Sequence, residues 1–238
     1  MTLTQNFEVF IIRQIGLIFL TLAVITCSGN GPIGPGEEKD IMWEETNGPL
    51  GGIVSSLAIS SIGDLFAGTW GSGVFRSTDN GERWTRVNTG LTNATVQTLA
   101  INQSRDIFAG TIGSGIFRST DNGDSWTEVK TGLASTRVNS LAINSSGDIF
   151  AGTEDKGVFR SFDNGDSWTE VNTGLTNSWV NTLAINSTGD IFAGTRGGIF
   201  RSADNGDSWT EQITGLTNNI VLSLAINPDG DIFAGTQD

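Results

Sequence analysis

Tryptophan recurs along this chain at a nearly fixed interval. Trp84, Trp126, Trp168 and Trp209 are separated by 42, 42 and 41 residues, and Trp43 stands 41 before Trp84. The repeating unit, VNSLAINSSGDIFAGTEDKGVFRSFDNGDSWTEVNTGLTN in its third copy, starts near Val54, Val96, Val138, Val180 and Val221. A period of this length marks a solenoid or a propeller array, in which each unit buries its apolar face only against its neighbours. Each unit holds four short strand candidates, VNSLAIN, DIFAGT, GVFRS and SWTEV, divided by turn signals such as Asn144-Ser145-Ser146-Gly147-Asp148 and Asp163-Asn164-Gly165-Asp166. Glycine supplies the positive φ of a tight hairpin. LAI and IFAG are apolar on both faces, as strands held between neighbouring blades should be. The pattern predicts an all-β fold, a β-propeller of four-stranded antiparallel blades.

Five blades are visible, near 54–95, 96–137, 138–179, 180–220 and, in part, 221–238. First and second strands occur five times and third strands four times. Fourth strands occur five times if the segment at Trp43 is included. The expectation is therefore an incomplete propeller, a truncated copy of a larger one. The alternative is a five-bladed ring whose last blade borrows the strand at Trp43.

Residues 1–27 read as an export leader. Arg13 precedes a mostly apolar run from Ile15 to Thr26, of signal-peptide length, which ends at Cys27. As the only cysteine, Cys27 can form no intramolecular disulfide. Val24-Ile25-Thr26-Cys27 resembles a bacterial lipobox, which implies acylation at Cys27 and attachment to a membrane of the cell envelope. Thr26 departs from the small residue usual there. Residues 28–40, with four Gly and two of the four Pro, form a linker to the folded body at 41–238.

The composition excludes several chemistries. There is no His and no Tyr, so no Ser-His-Asp or Cys-His system and no imidazole metal site can exist. A net charge of −13 has the wrong sign for nucleic acid. Nothing calls for a cofactor or a metal.

Each fourth-strand hairpin carries Ser-x-Asp-x-Gly-x-x-Trp. The four copies are Ser77, Asp79, Gly81 and Trp84; Ser119, Asp121, Gly123 and Trp126; Ser161, Asp163, Gly165 and Trp168; and Ser202, Asp204, Gly206 and Trp209. This pattern resembles the Asp-box, or BNR, repeat of sialidase-like propellers. Similar repeats occur in xyloglucan-active glycoside hydrolases, sortilin-type receptors and a photosystem II assembly factor. GDIFAGT…GIFRS also looks like the sensing propellers of two-component regulators. The residues themselves read as a structural turn, with a short carboxylate accepting backbone N–H bonds and the Trp closing the outer edge of the blade. Arg76, Arg118, Arg160 and Arg201 recur at one repeat position and are expected to make inter-strand contacts.

The sialidase resemblance implies a tyrosine nucleophile, which this chain cannot supply. The hydrolase resemblance implies opposed carboxylates on long inserted loops, yet the repeats vary by only one residue in length. A non-catalytic member is the expectation. Residues common to every blade are explained by the blade, so function should lie where the copies differ. At the second-to-third loops and the starts of the first strands, the distinctive residues are Trp70, Arg137, Glu154, Asp155, Lys156, Trp179 and Arg196. All map to the end of the blades opposite the Asp boxes. An aromatic beside Arg and carboxylates suits a glycan or a protein partner.

Overall fold

β-Branched and aromatic residues in Ile-Phe-Ala-Gly-Thr favour a pleated strand covered on both faces, and the Gly-Asp turn before it reverses the chain. The structure, a computed structural model, describes residues 48–49, 51–212 and 215–237. The leader with Cys27, the linker 28–40 and the segment at Trp43 lie outside the described residues.

Four complete blades and half of a fifth follow in chain order. Blade I is β1 (Ile53–Ile59), β2 (Leu65–Trp70), β3 (Gly73–Ser77) and β4 (Thr85–Arg86). Blade II is β5 (Val96–Ile101), β6 (Ile107–Thr111), β7 (Ile116–Ser119) and β8 (Thr127–Glu128). Blade III is β9 (Val138–Ile143), β10 (Ile149–Thr153), β11 (Val158–Ser161) and β12 (Thr169–Glu170). Blade IV is β13 (Val180–Ile185), β14 (Ile191–Thr195), β15 (Gly198–Ser202) and β16 (Thr210–Gln212), and blade V is β17 (Val221–Ile226) with β18 (Ile232–Thr236). Within each sheet the strands pair antiparallel in sequence order. The register repeats as well: Leu57 faces Ala67, Leu99 faces Ala109, Leu141 faces Ala151 and Leu183 faces Ala193. The fold is the expected all-β propeller, and among the described residues its ring does not close. β1 and β17 do not pack as successive first strands do.

The core lies between blades. Phe66, Val74 and Val87 of blade I pack with Val96, Leu99, Ile107, Phe117 and Trp126 of blade II, and the same cluster recurs between II and III and between III and IV. Phe66, Phe108 and Phe150 are fully buried there, each contributing about 1.5–3 kcal/mol of apolar burial. The glycine of each Ile/Leu-Phe-Ala-Gly-Thr strand is required by this packing. A Cβ on Gly68, Gly110, Gly152 or Gly194 would fall within 2.8 Å of Val96, Val138, Val180 or Val221 of the next blade.

A bulge sits near the start of every first strand, as in the shifts between Val96 and Thr98 and between Val180 and Thr182. In blades I, III and IV the extra residue turns its side chain to the following blade, whereas Gln97 of blade II accepts from Trp70 of the preceding one. Ser55 Oγ donates to the Val96 carbonyl at 2.5 Å, Asn139 to Val180 at 2.9 Å and Asn181 to Val221 at 2.8 Å. Bulges re-aim side chains at the ends of sheets, and here they tie adjacent first strands together.

Candidate functional site: a cleft between the third and fourth blades

The Asp boxes are built first, because they fix which end of the blade is free. In the second box Asp121 Oδ1 accepts from Ser119 Oγ at 2.8 Å and from the Ser125 amide at 2.9 Å, and Oδ2 accepts from Ser125 Oγ at 2.5 Å. Ser119 Oγ in turn accepts the Gly123 amide at 2.8 Å. Asn122 and Gly123 turn the chain through positive φ, 61° and 90°, a conformation that Asn tolerates and Gly adopts freely. With both oxygens taken up by donors, the carboxylate acts as the hub of a turn. Hydrogen bonds from Ser125 hold Asp121 below the ordinary aspartate value, and Ser208 brings Asp204 to about 2. Among the described residues no group of three or more Asp, Glu, Cys or His is placed to hold a metal ion.

The boxes also reach across blades, which corrects the inter-strand expectation for the arginines. Arg76 extends from blade I to the Asn122 carbonyl at 2.7 Å and to Asp124 at 2.9 Å in blade II. Arg118 makes the same contacts with Asn164 and Asp166, and Arg160 with Asn205 and Asp207. In the reverse direction the Asn122, Asn164 and Asn205 amides donate to Asp64, Asp106 and Asp148 of the preceding blade at 2.8, 2.6 and 2.7 Å. The box tryptophans do more than close an edge. Trp126, Trp168 and Trp209 Nε1 donate to the carbonyls of Val87, Val129 and Val171, one blade back.

Since the hairpins that carry the boxes occupy one end of the four complete blades, the second-to-third loops and the inter-blade connections meet at the other. Trp70 bridges to Thr95, Ile112 bridges to Arg137, and the amides of Glu154 and Arg196 donate to the carbonyls of Arg137 and Trp179. At that end Arg137, Glu154, Asp155, Trp179 and Arg196 line one open cleft of about 520 Å³, together with Thr176, Asn177 and Ser178. Arg137 Nε pairs with Glu154, and Asp155 accepts from the Ser135 hydroxyl at 2.6 Å. Opposite them the Arg196 guanidinium lies over the Trp179 ring, 3.4 Å from its centroid, a cation–π stack. Trp179 Nε1 is anchored to Asn181 at 3.0 Å. Arg196 takes part in none of the ion pairs among the described residues. The cleft therefore offers guanidinium donors, carboxylate acceptors and an indole already covered by a cation, an arrangement suited to recognition.

Two of the distinctive residues do not join it. Trp70 lies in blade I, 53% exposed, with its Nε1 donating to Gln97 at 2.8 Å. Lys156 is exposed on the loop beside the cleft and does not line it. Conversely, Thr176 and Asn177 line the cleft without a distinguishing signal in the sequence, since Thr-Asn before the first strand is common to most copies. Ser135 carried a usable signal. It stands where the segments leading into blades II, IV and V carry Asn93, Asn177 and Asn218, and it bonds Asp155, another departure within the same blade. Two departures in one copy that touch each other mark a site better than either does alone.

Comparison with known proteins bears on the fold. Residues 107–223 match the DUF6242 beta propeller domain. No curated protein matches the chain. Among solved structures, the extracellular domain of a one-component system from B. thetaiotaomicron aligns with a TM-score of 0.69 and 21% identity, covering 82% of this chain and 27% of that one. The GH74 xyloglucanase from Xanthomonas campestris aligns at 0.63 and 18% identity, over 77% of this chain and 34% of that one. YCF48 bound to D1 peptide aligns at 0.61 and 18% identity, over 82% and 65%. The chain thus spans about a quarter of the length of that extracellular domain, and at these identities what is shared is the fold. By its own sheets and by these likenesses, the chain is a β-propeller.

Proposed function

We propose that this propeller is a non-catalytic binding module of the Asp-box type, exported and held at the cell envelope through Cys27, which captures a glycan or protein ligand in the cleft between blades III and IV. The observation that carries this reading is the convergence of Arg137, Glu154, Asp155, Trp179 and Arg196, residues in which the blades differ, on one cleft at the end away from the boxes. The binding role is supported by the peptide-bound state of the similar YCF48 propeller. The non-catalytic assignment rests on the missing tyrosine and on the cleft carboxylates, each held by a donor of this chain rather than poised as an acid and base. The likeness to an extracellular sensor domain favours a second reading, in which capture in the same cleft is reported to a signalling partner. Export rests on the leader and its lipobox-like end.

Glycan and peptide arrays test the site. Trp179→Ala combined with Arg196→Ala should weaken the strongest hits at least tenfold, roughly 1.4 kcal/mol, with an unchanged melting temperature. Trp70→Ala, three blades away, should leave capture intact. Hits that survive the double substitution would sink the assignment. For the anchor, Cys27→Ser should release the protein from membranes, and retention would refute lipidation.

A further inference from the structure

One rim of the cleft between blades III and IV is a shortened loop. Between their second and third strands, blades I, II and III carry Trp70-Gly71-Ser72-Gly73, Ile112-Gly113-Ser114-Gly115 and Glu154-Asp155-Lys156-Gly157, whereas blade IV carries only Arg196-Gly197-Gly198. Thr195 Oγ1 accordingly donates to a carbonyl three residues on, where Thr69, Thr111 and Thr153 each reach one four residues on.

Arg196 opens that short loop, and what holds its guanidinium is a ring rather than an acid. Its Cζ stands 3.4 Å from the centroid of Trp179, a distance at which only a face-on approach avoids a clash. The ring is itself fixed. Trp179 Nε1 donates to Asn181 Oδ1 at 3.0 Å, and Asn181 Nδ2 donates to the Val221 carbonyl at 2.8 Å. An amide engaged at both ends thus sets the plane of the indole, and the indole sets the plane of the guanidinium. A guanidinium stacked in this way has its N–H edge left over, and that edge matches two coplanar oxygens, as a carboxylate presents them.

The neighbouring charges narrow the choice. Arg137 is already paired with Glu154, whose side chain is only 18% exposed. Arg196 is therefore the cation of the lining that no acid of the described residues neutralises. Glu154 and Asp155 line the same cleft, so a dianion would meet two like charges and one free cation, while a single carboxylate matches that cation one to one. Asp155 is exposed and gives Oδ1 to the Ser135 hydroxyl, which leaves its carboxylate able to accept an N–H from a ligand. Trp179 has Arg196 on its ring and its own N–H committed to Asn181, so it offers a sugar no open platform.

Given that this cleft is the binding site proposed above, the geometry points to a peptide segment bearing a carboxylate as its ligand. Arg196 takes the carboxylate, of a chain terminus or of an acidic side chain, through two parallel N–H bonds, and Asp155 accepts a peptide N–H.

A peptide array probed with the full chain in mild detergent tests this. Each sequence is present as the free acid, as the C-terminal amide, and with Asp and Glu replaced by Asn and Gln, beside uronate and neutral oligosaccharides. Peptide hits are expected, and converting the bound carboxylate to an amide should weaken them at least tenfold in solution titrations. The array forms tell a terminal carboxylate from a side-chain one. Arg196→Gln, with an unchanged melting temperature, should bring acid and amide to equal affinity. Arg196→Lys keeps the charge without the fork and should restore little of the difference; full restoration would overturn the two-bond contact. Hits lost in the Trp179→Ala, Arg196→Ala double variant yet indifferent to amidation would overturn the carboxylate assignment and leave the cleft in place. Uronates preferred to peptides in the cleft would overturn the peptide assignment in the same way. An array without peptide hits would overturn the inference, and hits untouched by the double substitution would overturn the inference and the cleft together.

Discussion

Arg105 is the residue most visibly at odds with its position. The turn between the first and second strands carries glycine at positive φ in four blades, as Gly63, Gly147, Gly189 and Gly230, whereas blade II holds Arg105 there at φ 71°. A side chain in the left-handed region costs roughly 1–2 kcal/mol. Arg105→Gly gives part of that back to unfolded-chain entropy, so a net gain of about 1 kcal/mol is expected, read as a higher denaturant midpoint at unchanged slope. A lower midpoint would show that the Arg105 side chain makes a compensating contact. The box aspartates make a prediction about pH. Folding lowers the carboxyls of Asp79, Asp121, Asp163 and Asp204, so their contribution is complete above the ordinary value near 3.8 and disappears as pH falls toward the folded value, about 2 for Asp204. Melting temperature should drop between pH 4 and pH 2, and Asp204→Asn should make that drop shallower. An unchanged slope would mean that the box carboxylates are not held by their serines in solution.

At the scale of the element, stability resides in the seams between blades, and two substitutions test that. Gly152→Ala places a methyl 2.6 Å from Val180 across the seam, and overpacking of this kind typically costs about 1–3 kcal/mol. Trp168→Phe removes the Nε1 donor that serves the Val129 carbonyl at 3.1 Å, leaving a buried acceptor unpaired at about 1–3 kcal/mol. Trp84→Phe removes an Nε1 that has no acceptor among the described residues and should cost clearly less. Equal losses for the two would contradict the assignment of the tryptophans to inter-blade coupling. The same seams explain what could be read from the sequence. Strands, hairpins and the propeller followed from local pattern, since alternation, turn glycines and the 42-residue period are properties of consecutive residues. The repeat suggests inter-strand contacts for Arg76, Arg118 and Arg160 without naming the partner, because their acceptors lie 45 to 48 residues ahead, about one repeat away in the next blade. A periodic sequence gives every copy the same neighbours, and so does not distinguish a contact within a unit from one between units.

For the whole molecule, division of labour between the two ends of the blades is the organising fact. One end is occupied in each of the four complete blades by boxes, most of which bind blade to blade, which leaves their residues little freedom to vary. The other carries loops closed by the second-strand threonines, Thr111 to Gly115 and Thr153 to Gly157 at 2.9 and 2.8 Å, on which side chains can change without disturbing the seams. Subtracting the repeat found five residues of the cleft for this reason. It also included Trp70, because it sorts residues by end and not by blade. The most direct test of this account is a hydrogen-exchange footprint of the protein bound to its strongest array ligand. Protection should appear at Arg137, Glu154–Asp155, Thr176–Trp179 and Arg196, with the box turns unchanged. Protection at the Asp-box end, with the cleft unaltered, would contradict it.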